Sequence, residues 1–222
     1  MAGVTGVPLR TGTIVCYSDS NTYGYAPTYL YEARYPDDVI WTNILAGRTL
    51  WKVLNYGLCG REIPHMESQF RHIRELVRSW AMEPPPVHLW IMLGTNDLLR
   101  HGTFRAEDAA RRMEAFVRAL QQEPCVQDGM VRIRVIAPPR LRQGEWTYGD
   151  SDRLLTESAR LGGAYRGAVL RCSQDGGPRV DYTDASVWDI PVVYDGVHFS
   201  EEGHRLFAQH ILEEIPGMQA RG

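Results

Sequence analysis

Four short stretches of the chain carry residue types that perform acyl-transfer chemistry when they meet. The first is Tyr17-Ser18-Asp19-Ser20-Asn21-Thr22-Tyr23-Gly24-Tyr25, directly after an apolar run. A serine that leaves a strand and enters a helix stands among free backbone N–H groups, at the helix end that favours negative charge. The plainer reading is that Asp19 or Ser20 caps the helix, and one loop can do both. The second stretch is Asp195-Gly196-Val197-His198-Phe199, followed by Ser200-Glu201-Glu202-Gly203-His204. A serine hydroxyl is a weak nucleophile at neutral pH and needs a base within hydrogen-bond reach. His198 suits that task, and Asp195 three residues earlier would hold its tautomer and stabilise the imidazolium. The plainer reading is a turn before a helix capped by Ser200. The third stretch, Leu93-Gly94-Thr95-Asn96-Asp97, offers the Asn96 amide as a donor to an oxyanion, or else forms an ordinary Asn/Asp turn. The fourth, Asn55 to Arg61, holds Gly60, whose N–H is unobstructed unless the glycine only serves a turn. Each signal is weak alone. Their joint occurrence, in this order and at strand ends, is the specific observation.

The elements that must bring these stretches together are legible as alternating periods. Apolar runs at Thr13 to Tyr17, Leu50 to Asn55, Val87 to Leu93, Val131 to Ile136 and near Arg179 to Tyr182 predict strands. Such continuous runs fit a parallel sheet covered on both faces. Between them, helical spacing places Phe70, Ile73, Leu76 and Val77 on one face of Met66 to Trp80. It does the same for Ala109, Met113, Phe116, Val117 and Leu120 in Arg105 to Gln122. Ser151 to Arg171 also reads as helical, although Gly162-Gly163 weakens the pattern. Glu201 to Glu214 carries the stripe Leu206, Phe207, Ile211 and Leu212. Strand–helix alternation predicts a three-layer α/β domain, here a single one over 1–222 with its core at about 12–214. Ligands of such sheets bind outside the carboxyl ends of the strands, where all four stretches fall.

Composition excludes several other classes. With 222 residues, 44% apolar and 23% charged, the chain is ordinary for a globular protein. A net charge of −3 provides no basic field, so neither nucleic acid nor membrane is an expected partner. No stretch reaches the roughly 20 apolar residues of a membrane span. The opening MAGVTGVPLRTGTIV lacks a signal-peptide pattern. Cys16, Cys59, Cys125 and Cys172 show no CxxC spacing, so reduced thiols and a cytoplasmic location are expected. His65 with His72, and His204 with His210, lack zinc spacing on one helical face, and His88 is expected to be a satisfied core residue. No GxGxxG or GxxxxGK[ST] is present, which argues against nucleotide binding.

In this order, Asp-Ser near the start, Gly60 in the second loop, Gly94-Thr95-Asn96-Asp97 and Asp195-Gly196-Val197-His198-Phe199 resemble the SGNH (GDSL) hydrolases. The resemblance runs from Ile14 to about Leu212. The runs Arg34 to Thr42 and Ile91 to Asp97 make it closest to the arylesterase and acyltransferase branch. It implies a flavodoxin-like sandwich around a five-stranded parallel sheet, with no metal or organic cofactor. It implies Ser20 as nucleophile, His198 as base and Asp195 as its orienting carboxylate. The oxyanion hole would be the Ser20 N–H, the Gly60 N–H and the Asn96 side chain. Two positions depart from the pattern. Ser18 stands where glycine is usual, and Asn21 where leucine is common.

The resulting expectation is a serine esterase acting on short-chain aryl or alkyl esters, or on acetylated carbohydrates, through an acyl-serine. Transfer to alcohols would be a further activity. The competing expectation is a flavodoxin-like binding module without turnover. Asp19, Tyr23, Tyr25, Trp41 and the loop Arg140 to Tyr148, with Trp146, are candidates for the substrate pocket, each aromatic also being a candidate for core packing. Tyr29, Tyr31 and Tyr35 are candidates for a subunit interface, since the related branch implies a homo-oligomer.

Overall fold

The computed structural model describes residues 12–27, 33–145, 150–174 and 176–215. Its strands are β1 (Gly12–Ser18), β2 (Trp51–Gly57), β3 (Val87–Met92), β4 (Val131–Ala137) and β5 (Val180–Asp184). They form one sheet in the order β2-β1-β3-β4-β5, and every neighbouring pair is parallel. This is the flavodoxin-like order. Each expected strand is present, with ends moved by a residue or two.

The helices are α1 (Ser20–Tyr23), α2 (Trp41–Arg48), α3 (Glu67–Trp80), α4 (Thr95–Arg100), α5 (Ala106–Gln121), α6 (Pro124–Gln127), α7 (Ser151–Gln174) and α8 (Glu201–Glu214). Side chains alternate across the sheet and build two cores. Val15, Tyr17, Leu89, Ile91, Ile133 and Val135 pack against α3, α5 and α7. Ile14, Cys16, Trp90 and Ile136 pack against Trp41 and Leu45 of α2 and Phe207, Ala208 and Ile211 of α8. Burial on both faces explains why the strands read as unbroken apolar runs.

Helix α7 passes straight through Gly162-Gly163. A Cβ on Gly162 would come within 2.4 Å of both Asp184 Oδ1 and Ser186 Oγ. The glycine therefore admits a close approach of α7 to the end of β5, where the Tyr182 hydroxyl donates to the Gly162 carbonyl at 2.6 Å. Close packing, not helix breaking, accounts for it.

Strand β1 lies between β2 and β3, so the chain winds away from it in opposite directions. That reversal opens a crevice at the carboxyl end of β1, and Ser20 follows that end directly. At the opposite edge Lys52, near the start of β2, pairs with Glu83 at 2.6 Å. Among the described residues no helix is long and apolar enough to cross a membrane.

His204 is fully buried in α8, edge-on to Tyr35 at 5.2 Å and to Phe199 at 5.4 Å. Its Nδ1 accepts the Trp41 N–H at 3.4 Å. Burial pushes its pKa down to about 3. The unfolded histidine takes a proton near pH 6.5, whereas the folded one stays neutral until far lower pH. Stability from this residue is therefore complete above about pH 6.5 and is lost toward pH 3, at about 1.4 kcal/mol per pH unit. His204→Phe is expected to flatten that acid slope in melting curves collected from pH 7 to pH 3.5. An unchanged slope would show that His204 is not the group responsible.

Candidate active site

The end of β1 is held in place before the reacting groups enter. Ser18, in the usual glycine position, is buried and extended, and its hydroxyl donates to the Met92 carbonyl at 2.6 Å. This bond ties the carboxyl ends of β1 and β3 together and occupies the Ser18 oxygen. Asp19 caps α1 by accepting the Asn21 N–H at 3.0 Å. Ser20 opens the helix, so its own N–H has no intrahelical acceptor. Capping and presentation of the hydroxyl are thus met by adjacent residues.

The second loop arrives from the far end of the chain. Ser20 Oγ lies 3.0 Å from His198 Nε2, and His198 Nδ1 lies 2.6 Å from Asp195 Oδ2. The other Asp195 oxygen accepts the N–H groups of Val197 at 2.9 Å and His198 at 3.0 Å. Burial opposes ionisation of Asp195, but the bonds from the His198 ring and from these two N–H groups outweigh it. Its pKa falls below the usual carboxylate range. An ionised carboxylate has no proton to give, so Nδ1 carries the proton and Nε2 is left to accept from Ser20. Ser200 caps α8 by accepting the Gly203 N–H at 3.1 Å, so the helix-capping reading also holds.

The third and fourth stretches meet at the carboxyl end of β1. The Leu58 N–H donates to the Ser18 carbonyl at 3.1 Å, and Arg61 Nη1 donates to the same oxygen at 2.7 Å. Gly60 lies between them with φ +74, a conformation that disfavours any Cβ, and the Arg100 guanidinium fills the place a Cβ would take. Asn96, in the first turn of α4, donates to the Arg61 carbonyl at 3.1 Å. The chain thus gathers Ser20, Gly60, Asn96, Asp195 and His198 at one sheet edge. Asp97 anchors the arrangement from below: its buried carboxylate accepts the Ile63 N–H at 3.0 Å and Arg112 at 2.9 Å.

The model of the GDSL-like Lipase/Acylhydrolase family matches residues 19–206. The chain belongs to that family. It is a carboxylic ester hydrolase of the SGNH/GDSL type. No curated protein sequence shows a significant match. Among solved structures, the native aryl esterase of M. smegmatis is similar at a TM-score of 0.70 and 22% identity. The match covers 91% of this chain and 99% of that one. A carbohydrate acetylesterase from Sinorhizobium meliloti gives 0.69 and 21%, over 91% and 99%. A lipase/acylhydrolase from Enterococcus faecalis gives 0.55 and 21%, over 94% and 97%. At these identities the likeness establishes a shared fold.

Around the site of this GDSL hydrolase the aromatic candidates separate. Tyr25 stands edge-on to the His198 ring at 4.7 Å, which makes it a wall of the site. Tyr23 is exposed, with the Arg34 guanidinium over its ring. Trp41 is 1% exposed and packs against Phe207, so it is core and not pocket wall. Tyr35 is likewise buried, which removes it from any subunit surface. Tyr29, Tyr31, Trp146, Thr147 and Tyr148 lie outside the described residues. The described part of the loop Arg140 to Tyr148 does reach the site: the Arg142 N–H donates to the Gly196 carbonyl at 2.9 Å, and the Glu145 N–H to the Tyr194 carbonyl at 3.0 Å. His88 is half-buried against Trp51 and lines a groove along β5, not the core. That groove contains none of the residues gathered around Ser20.

The sequence reading did not foresee two supporting residues. Asn55 donates to the Thr22 carbonyl at 2.6 Å and to Thr42 Oγ1 at 3.0 Å, fixing α1 against β2 and α2. Asn21 reaches the loop of His198. Neither has a spacing signal, because each acts across the fold.

Asp19 itself is almost fully buried, and burial raises its pKa to about 6 against the opposing pull of the Asn21 N–H, His198 and Arg61. Its folded pKa lies above the unfolded value, so its contribution favours folding below about pH 4 and is lost as the pH rises through 6. Asp19→Asn keeps an acceptor for the Asn21 N–H and no longer ionises. The variant's stability relative to the parent is expected to grow by about 1.4 kcal/mol per pH unit from pH 4 to 6 and then level off. Denaturant titrations across that range would show it, and a pH-independent difference would contradict the assignment.

Proposed function

We propose that the protein cleaves short-chain carboxylic esters through an acyl-serine on Ser20. The observation that carries this reading is the aligned series of Ser20 Oγ, His198 and Asp195, with contacts of 3.0 and 2.6 Å. A binding module would have no use for this series together with Gly60 and Asn96.

In the proposed reaction, Ser20 Oγ bonds to the ester carbonyl carbon while its proton passes to His198 Nε2. The carbonyl oxygen becomes an oxyanion facing the Ser20 and Gly60 N–H groups and the Asn96 amide. Collapse breaks the bond to the alcohol oxygen, which takes the proton from Nε2. Water or a second alcohol then attacks the acyl-serine and gives its proton to Nε2; collapse breaks the bond from the acyl carbon to Ser20 Oγ, which takes that proton back and leaves His198 neutral. The acceptor decides between hydrolysis and acyl transfer. Asp195 remains ionised throughout and holds the imidazolium.

The small size of the proposed acyl group rests on space. Ser20 is only 5% exposed, and Tyr25 lies against the His198 ring. Aryl, short alkyl and acetylated carbohydrate esters all suit such a site, since its walls and not the fold set the choice. Cys16, Cys59, Cys125 and Cys172 are free thiols, which supports a reducing, cytoplasmic setting.

Ser20→Ala is expected to abolish p-nitrophenyl acetate cleavage and stoichiometric fluorophosphonate labelling while circular dichroism stays unchanged. Turnover by that variant at the parent rate would remove Ser20 from the mechanism. Asn96→Ala should lower kcat on the order of 10²–10³-fold, the usual consequence of losing one oxyanion donor. A drop of less than threefold would assign that stabilisation elsewhere. In a series of p-nitrophenyl esters from acetate to octanoate, with and without added alcohol, kcat/KM should fall as the acyl chain lengthens. A preference for octanoate would contradict the small site.

A further inference from the structure

Asn21 is the residue after the nucleophile, and its side chain leaves the helix for the opposite loop. Its Nδ2 donates to the Val197 carbonyl at 3.1 Å, and its Oδ1 accepts the Phe199 N–H at 2.9 Å. Those two groups belong to the peptide units on either side of His198. One planar amide thus grips the main chain both before and after the base. The residue is 7% exposed, so these bonds form away from water. A single bond would leave the loop free to swivel, whereas two bonds from one rigid plane fix its direction as well as its distance.

The remaining main-chain groups of His198 are held from within its own loop. The His198 N–H goes to Asp195, and its carbonyl accepts the Val193 N–H at 2.8 Å. Those bonds shape the loop but do not relate it to α1. Asn21 supplies that relation, and because it neighbours Ser20 in a short helix the relation is direct. A leucine at this place could make neither bond.

We infer that Asn21 is a positioning residue that sets the distance and angle of His198 Nε2 to Ser20 Oγ for proton transfer. The inference rests on the Ser20–His198–Asp195 reading. Misplacement of a reacting group by about 1 Å costs on the order of 10² in rate, and the loss should fall on the chemical step and not on ester binding.

The test compares Asn21→Leu, Asn21→Asp and Ser20→Ala in steady-state cleavage of p-nitrophenyl acetate. Rates of the parent and the two Asn21 variants are normalised to active sites counted by the fluorophosphonate labelling endpoint, and Ser20→Ala, which has no serine to label, is compared per mole of folded protein. Counting sites separates a positional effect from simple loss of folded protein, which would lower the number of sites but not turnover per site. Asn21→Leu is expected to keep KM within about twofold and to lower kcat per site about 10- to 100-fold. The downfield proton resonance of the His198–Asp195 bond should also broaden by faster exchange. Asn21→Asp keeps the acceptor for Phe199 but sets a carboxylate against the Val197 carbonyl, so its kcat should fall similarly, and it decides the matter if the leucine variant does not fold. Parent-like kcat per site in either folded variant, with Ser20→Ala inactive, would overturn the role of Asn21 and leave the serine mechanism standing. Activity in Ser20→Ala would instead overturn the mechanism itself.

Discussion

The hydrogen bond between Ser20 and His198 joins residues that are 178 positions apart in the chain. A contact of that span has no local cause. Its 3.0 Å is the sum of placements made by the sheet, the helices and two loops. The sheet order does most of this. With β1 between β2 and β3, the strand that delivers the serine ends where the windings diverge, and the loop before α8 returns to the same edge. The two cores fix the strands, and the strands fix the ends.

At that edge the packing is polar and buried, which makes it demanding. Ser18, Asp19 and Asn21 are all nearly inaccessible. A buried polar group without a partner costs far more than a paired one contributes. Here Ser18 binds a β3 carbonyl, Asp19 caps α1, Asn21 binds the His198 loop and Asn55 binds the Thr22 carbonyl. Each of these bonds stabilises the fold and at the same time removes a degree of freedom from Ser20 or His198. Stability and alignment thus share the same interactions, so substitutions here should rarely affect one alone.

Much of this was legible in the sequence, for reasons that differ by element. The strands were plain because both faces of the sheet are covered, leaving unbroken apolar runs such as Val87 to Met92. Helices α3, α5 and α8 were plain because each shows one apolar stripe, and α8 begins at Glu201 and ends at Glu214 as the pattern predicts. Helices α2, α4 and α6 escaped because they are short and owe their form to neighbours. Trp41 illustrates the limit of residue type: an aromatic near a site announces burial but not which side it faces. Asn21 illustrates another. Its identity stood out as a departure, yet its partners lie beyond residue 190, and only the fold brings them within reach. The proposed roles of Gly60 and Asn96 rest on a whole ordered pattern, not on either residue alone.

The lone lysine of the chain sits at the other end of this architecture. Lys52 follows the first residue of β2 and pairs in register with Thr13, while Ser20 follows Ser18 at the far end of the neighbouring strand. Five strand residues at about 3.3 Å each put roughly 17 Å of sheet between them. A bead grafted through this one side-chain amine would therefore be attached at the end of the sheet remote from the edge that carries Ser20 and His198.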